Sequence, residues 1–213
     1  RKLIQSQLRM QLQDFRLDNL IGFDVHGKTV GIVGTGKIGM AFARIMKGFG
    51  AKLLAFDPVQ NKEALKLDVQ YTEWNDLLKY SDIISLHCPL NDQTCGLLAQ
   101  EEFAIMKKGC IVINTARGGV INTRDLISAM ESGQVGGAGL DVYENEKGLF
   151  FEDHTKDLSI DPLFTRLQSF KNVLITGHQA FLTNEALEGI AKTCIQNLDD
   201  WQNNRQPVSE LNP

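Results

Sequence analysis

Short apolar runs rich in valine, isoleucine and leucine alternate along this chain with longer stretches whose apolar residues recur every three or four positions. A short run that is apolar throughout reads as a strand of a parallel sheet, and the 3.6-residue recurrence reads as a helix packed against it. Strands are predicted at 29–33, 52–56, 69–71, 82–86, 110–114, 136–140 and 172–176. Helices are predicted at 40–46, 74–79, 100–106, 123–132 and 184–203, with Thr123 as the N-cap of the fourth. Residues 145–162 read as an acidic, irregular loop. The alternation of strands and helices predicts a doubly wound α/β domain. The last helix carries Leu187, Ile190, Ala191, Cys194, Ile195, Leu198 and Trp201 on one face, a stripe meant for burial. A leading helix over residues 1–16 carries Leu3, Leu8, Leu12 and Phe15 among polar residues. The chain starts at Arg1 inside that helix rather than at a methionine, so further chain is expected ahead of it, with any targeting segment out of view.

Composition narrows the classes of function. With a net charge of −4 and no Lys/Arg run longer than two residues, nucleic acid and anionic membrane are poor partners. No stretch approaches the roughly 18 apolar residues that span a bilayer. The four cysteines, Cys88, Cys95, Cys110 and Cys194, show neither CxxC nor Cys/His ligand spacing. They read as reduced thiols of a cytoplasmic protein, and no metal site is expected.

Residues 34–39 read Gly-Thr-Gly-Lys-Ile-Gly between the first predicted strand and the first long helix, the order of a dinucleotide-binding turn in a Rossmann-type sheet. Gly34 allows the tight turn, Gly36 lets the backbone approach a diphosphate, and Gly39 lets the helix pack close to the strand. The diphosphate then meets backbone N–H groups at the positive end of the helix. The second predicted strand ends at Asp57, 18 residues after Gly39, close to the roughly 20 expected for an acid that grips the adenosine ribose. No Lys or Arg follows it until Lys62, so a 2′-phosphate has no partner there and NAD is expected rather than NADP.

In doubly wound sheets ligands lie beyond the carboxyl ends of the strands. Asp57, His87, Arg117, Asp141 and His178 all fall at predicted strand ends or just past them. A nicotinamide-dependent reduction of a small 2-keto acid needs a cation for the carboxylate and a proton donor for the carbonyl oxygen. Arg117 can clamp a carboxylate with two parallel hydrogen bonds, and Gly118-Gly119 after it leaves the guanidinium unobstructed. An imidazole titrates near neutral pH, so His178 is a residue of the type that can give or take the proton. A carboxylate would hold its tautomer, and Glu144 and Glu146 are both within reach of the role. His87 reads as a cofactor neighbour or a satisfied strand-end residue, and His26 and His154 as surface histidines.

Four segments in order resemble the D-2-hydroxyacid dehydrogenases, with the closest likeness to the fermentative D-lactate dehydrogenases. They are 34–39 with Asp57; Asn114-Thr-Ala-Arg-Gly-Gly; Gly139-Leu-Asp-Val-Tyr-Glu-Asn-Glu146; and Thr176-Gly-His-Gln-Ala-Phe181. The branch is suggested by Leu86-His-Cys-Pro89, by Gly148-Leu-Phe-Phe-Glu-Asp153 and by His178-Gln-Ala-Phe-Leu-Thr183. The resemblance implies that Arg117 binds the substrate carboxylate and that Glu146 pairs with His178, the acid/base. It also implies that Lys37, Ile38, Asp57, Cys88, Pro89, Thr94, Thr115, Ala116 and Asp141 join Gly34, Gly36 and Gly39 around NAD. Asp141 would hold the nicotinamide carboxamide, and Phe181 would border the substrate side-chain pocket.

The same likeness implies a division into an NAD-binding domain, 1–181, and a C-terminal helical segment, 182–213, of a second, substrate domain built mostly from residues ahead of this chain. On that footing the chain alone is expected to bind NADH but to turn over slowly, because closing the cleft excludes water. A homo-oligomer, dimer or tetramer, with residues 1–15 near a subunit contact, is also implied. The substrate is left open between pyruvate and another 2-keto acid, such as glyoxylate, hydroxypyruvate or a bulky one. A non-catalytic NAD-sensing protein is the reading from another class.

Overall fold

The strand order is set where the chain reverses direction across the sheet. Seven parallel strands, β1 (Thr29–Val33), β2 (Lys52–Phe56), β3 (Gln70–Tyr71), β4 (Ile83–Leu86), β5 (Cys110–Asn114), β6 (Val135–Leu140) and β7 (Val173–Ile175), form one sheet in the order β3-β2-β1-β4-β5-β6-β7. The chain runs outward from β1 to β3, returns to β4 beside β1, and then runs outward the other way. The carboxyl ends of β1 and β4 are the point where the connections part, the place where sheets of this order take their ligands. The structure, a computed structural model, describes residues 2–157, 161–203 and 205–207. Arg1, residues 158–160 of the expected acidic loop, and Asn204 and 208–213 of the expected C-terminal segment lie outside the described residues.

Helices α2 (Lys37–Gly48) and α3 (Lys62–Lys66) cover one face, and α4 (Trp74–Tyr80), α5 (Gln100–Ile105), α6 (Thr123–Glu131) and α7 (Pro162–Gln168) the other. Alternation along each strand sends side chains to both. Val30, Ile32, Leu53 and Ala55 pack with Met40, Ala43 and Ala64. Val33, Ile84, Leu86 and Val112 pack with Leu77, Leu78, Phe103, Leu126 and Leu167. Each fully buried leucine among them contributes roughly 2 kcal/mol. All seven expected strands form, within two residues of their expected bounds.

Two helices were not foreseen, because both are too short to show a period. Their start signals were present. Asn61 caps α3 by accepting from the Glu63 N–H (2.9 Å). Asp161 caps α7 by accepting from the Leu163 N–H (2.8 Å), with Pro162 at the first helical position. The N-cap of α6 is Asn122, not Thr123: its Oδ1 accepts from the Asp125 N–H (3.1 Å), which moves Thr123 into the first turn, where it is buried. The acidic stretch after β6 is anchored by aromatic packing. Tyr143 and Phe150 are buried against Phe164, with ring centroids 5.1 and 5.6 Å away.

The chain divides into two compact units, Arg1–Gly177 and His178–Pro213. The first also contains α1 (Leu3–Gln11), on which Leu3, Ile4, Leu8 and Met10 are exposed. The second is dominated by α8 (Asn184–Gln202), capped by the Thr183 hydroxyl, which accepts from the Ala186 N–H (3.1 Å). The stripe Leu187, Ile190, Ile195, Leu198 and Trp201 is exposed.

The Asp161 carboxylate joins this packing to the loop after β6, because it caps α7 and also accepts from the Tyr143 hydroxyl (2.8 Å). Replacing it by alanine removes the cap and one partner of the Tyr143 hydroxyl. Asp161→Ala is expected to cost about 2 kcal/mol, read as a fall in Tm of roughly 4–8 °C. Asp161→Asn, which keeps an acceptor at the cap, is expected to recover most of it.

Candidate functional site

The turn after β1 is a place of close backbone contact. A Cβ on Gly39 would lie 2.0 Å from the Gly34 carbonyl oxygen, and one on Gly34 would lie 2.8 Å from the His87 carbonyl. Gly34 also has φ +94°, which favours glycine. These two glycines let α2 and the end of β4 meet the turn. Gly36 differs. Its φ is −68°, and a Cβ there would meet no atom within 4 Å. No side chain caps α2, which starts at Lys37. Lys37 and Ile38 are exposed. An open glycine before an uncapped helix start suits a diphosphate that must touch the backbone. The residues therefore fit NAD.

Asp57, at the end of β2, reaches this turn. Its Oδ2 accepts from the Thr35 N–H (2.6 Å) and hydroxyl (3.0 Å), and its Oδ1 from the Val59 N–H (2.8 Å). Thr35 is 3% exposed. Its tie to Asp57 was not foreseen, since the variable position of a glycine motif gives no sign of its partner.

Beyond β4, His87 lies behind the glycine turn, its ring 5.0 Å from that of Phe42 on α2. Nε2 is 2.9 Å from the Ser85 hydroxyl, and Nδ1 is buried without a hydrogen-bond partner. Burial pushes the imidazole down to about 4, so it is neutral in physiological conditions. Cys88 is buried and its thiol is pushed up by burial, while Pro89 is exposed. Thr94 spends its hydroxyl within its own loop, donating to the Pro89 carbonyl (2.6 Å) and accepting from the Asn91 N–H (2.9 Å).

The turn after β5 is held by Asn114, 1% exposed. Its Nδ2 donates to the Arg117 carbonyl (2.9 Å) and its Oδ1 accepts from the Ala116 N–H (3.0 Å). Thr115 and Arg117 stand exposed on that turn with Ala116 half-buried between them, and the guanidinium donates to the Ala116 carbonyl (2.7 Å). Gly118 serves a different purpose from leaving the guanidinium unobstructed. A Cβ there would lie 2.0 Å from the Tyr143 carbonyl carbon, so it permits the loop after β6 to press on the turn after β5.

That loop carries Asp141, Glu144 and Glu146. Asp141 is buried and accepts from the Thr176 hydroxyl (2.5 Å). Glu144 is exposed and accepts from the Thr123 N–H (3.1 Å), committing it to the start of α6. Glu146 is half-buried and accepts from the Tyr143 N–H (3.1 Å). In the second unit, His178 has φ +52°, a conformation in which histidine is uncommon. Its ring meets that of Phe181 edge-on, with centroids 6.5 Å apart. His26 lies over Gly50, where a Cβ would meet its ring at 2.5 Å. His154 pairs with Asp157 (2.6 Å), which raises its pKa. Among the described residues, no group of three metal-ligating side chains is found and no helix is long and apolar enough to cross a membrane.

The family model described as D-isomer specific 2-hydroxyacid dehydrogenase, NAD binding domain, matches residues 1–180. The D-lactate dehydrogenase of Escherichia coli is 46% identical over 211 residues, covering 99% of this chain and 64% of its own length. The solved structure of the pyruvate reductase of Chlamydomonas reinhardtii superposes with a TM-score of 0.95 at 45% identity, over 98% of this chain and 64% of that one. D-lactate dehydrogenase with NAD+ from Lactobacillus jensenii gives 0.91 at 33% identity, over 100% and 64%. The chain thus spans under two thirds of the length of these relatives.

The glycines separate folding from binding. Gly39→Ala forces backbone apart and is expected to cost about 1–3 kcal/mol or more in stability. Gly36→Ala is expected to leave Tm within about 2 °C and to weaken NADH binding by about tenfold or more, measured by fluorescence titration. Neutral His87 gives a second expectation. Its folded pKa is depressed, so the unfolded chain takes up a proton first as pH falls. Stability is then lost between about pH 6.5 and pH 4 and unaffected above, by about 3 kcal/mol in all. Urea unfolding across that range is expected to show the loss, and His87→Gln to flatten it.

Proposed function

The chain belongs to the D-isomer specific 2-hydroxyacid dehydrogenases, and from that membership we propose that the protein uses NADH to reduce a 2-keto acid, pyruvate foremost, to the D-2-hydroxy acid, D-lactate. The observation that carries the proposal is the Arg117 turn: an exposed guanidinium, on a backbone fixed by a buried asparagine, at the carboxyl edge that also bears the glycine turn. The names of the relatives, D-lactate dehydrogenase and pyruvate reductase, support the choice of substrate.

NAD, held by Gly34, Gly36, Lys37, Ile38, Gly39, Asp57, Cys88, Pro89, Thr94, Thr115, Ala116 and Asp141, supplies hydride when reduced. Arg117 grips the substrate carboxylate with two parallel hydrogen bonds and draws charge from the adjacent carbonyl. His178 gives a proton to the carbonyl oxygen and takes it back in the reverse direction. Glu146 pairs with His178 and holds one tautomer of its ring. Glu144 is the weaker candidate for that role because it is engaged at the start of α6. Residues 1–181 are the NAD-binding domain in this reading, and 182–213 belong to the substrate domain. A homo-oligomer, dimer or tetramer, is supported by the exposed apolar residues of α1, and a cytoplasmic setting by four free cysteines.

The test is NADH oxidation by the protein carrying this sequence, with pyruvate, glyoxylate, hydroxypyruvate and phenylpyruvate, and with the product's chirality determined. Fastest turnover of pyruvate to the D enantiomer is expected. Preference for another of these acids would change the substrate alone, and NADH binding with no turnover of any would replace the enzyme by an NAD-sensing protein. His178→Gln is expected to lower kcat by about 10²–10⁴-fold. Arg117→Lys is expected to act mainly on the KM for the keto acid. An unchanged kcat in His178→Gln would remove it as the proton donor.

A further inference from the structure

The acid at the end of β2 is the last member of a directed chain of hydrogen bonds. The Asn61 N–H donates to the Tyr71 hydroxyl (2.8 Å), the Tyr71 hydroxyl to the Thr35 hydroxyl (2.8 Å), and the Thr35 hydroxyl to Asp57 Oδ2 (3.0 Å). The Asn61 amide closes the circuit by donating to the Thr35 carbonyl (2.9 Å). Four separate pieces of backbone are thereby tied together: the glycine turn, the end of β2, the cap of α3 and β3. Tyr71 is half-buried, and its hydroxyl is used once as acceptor and once as donor. Thr35 is likewise used in both senses. The direction of the two hydroxyl protons is fixed by the last member, a carboxylate that can only accept: Thr35 gives its one proton to Asp57 and therefore accepts from Tyr71.

A carboxylate has about four acceptor positions. Thr35 supplies two donors to Oδ2 and Val59 one to Oδ1, which fixes the carboxylate plane and leaves acceptor capacity on Oδ1. We propose that Thr35 and Tyr71 are positioning residues that set the choice of NAD over NADP by holding the Asp57 carboxylate in one orientation. This rests on Asp57 being the acid that receives the adenosine ribose diol. A ribose diol is recognised by an acceptor fixed in place, and a 2′-phosphate is rejected by a negative charge that cannot swing aside. Loss of the Thr35 hydroxyl removes one of three donors to the carboxylate, and loss of the Tyr71 hydroxyl loosens that donor; the two backbone N–H bonds remain, the carboxylate gains angular freedom, and both effects weaken together.

The experiment is equilibrium titration of NADH and NADPH by calorimetry on four variants of this chain, with Tm measured for each. Thr35→Val keeps the shape and the backbone N–H bond to Asp57 but removes the hydroxyl; Tyr71→Phe removes the donor behind it. Each is expected to weaken NADH binding by about three- to tenfold, with NADPH binding unchanged or tighter, so that the preference for NADH falls. Thr35→Ser restores a hydroxyl and is expected to restore the preference. NADH and NADPH weakened equally by Thr35→Val and Tyr71→Phe, in step with Tm, would overturn the proposal and leave these residues a purely structural role. Asp57→Asn separates the two levels. If it lowers the preference while Thr35→Val and Tyr71→Phe do not, the positioning role fails and Asp57 keeps its own. If Asp57→Asn itself leaves the preference intact, the reading of Asp57 falls, and the positioning role with it.

Discussion

The whole carboxyl edge of the sheet depends on backbone packed against backbone at glycines. The Gly34 carbonyl stands where a side chain on Gly39 would begin, and the His87 carbonyl where one on Gly34 would. These contacts fix the start of α2 over β1 and bring the end of β4 against the same turn. Such an arrangement cannot relax around an added methyl group, because peptide planes on both sides are held by strand and helix bonds. The geometry offered to a dinucleotide is thus settled in folding, before any ligand is met.

A second contact of the same kind joins the two candidate catalytic loops of the first unit. Gly118 lets the peptide after Tyr143 press on the turn that displays Arg117. Asn114 fixes that turn from beneath, while Asp161, through the Tyr143 hydroxyl, fixes the loop from the other side. Arg117 and Glu146 are therefore carried by backbone segments whose positions are not independent. Binding and proton chemistry need such agreement, since catalysis suffers from displacements of about an ångström.

The strands, the long helices and the dinucleotide turn were legible because each carries its signal within ten or so residues: period, glycine spacing, strand-end polarity. What was not legible is of another kind. Asn122 displaced Thr123 as the cap of α6 because both are capping residues and only the fold decides which one stops the turn. The short helices α3 and α7 are held by caps and by burial of Ala64, Phe164 and Leu167, which no period reveals in so few residues. Thr35 and Tyr71 act through partners distant along the chain, so their roles follow only from the sheet order, whereas Asn114 acts on Ala116 and Arg117 in its own turn. The acidic loop after β6 is irregular over its described residues, as the sequence implies, and what the sequence does not show is the packing of Tyr143 and Phe150 on Phe164 that anchors it.

The treatment of charge differs between the two edges of the sheet. At the amino edge Asp82 is neutralised in place: it accepts from the Thr29 N–H (2.8 Å) and pairs with Lys107 (3.0 Å), bracing the starts of β1, β4 and β5. At the carboxyl edge Asp57 and Arg117 are held by neutral partners, hydroxyl and amide donors for the acid and a carbonyl for the base. A neutral hydrogen bond fixes a charged group in direction while cancelling little of its field, whereas an ion pair cancels most of it. The Asp82–Lys107 pair contributes to folding. The charges of Asp57 and Arg117 are left largely uncancelled, and their neutral partners explain how they stay oriented without being neutralised.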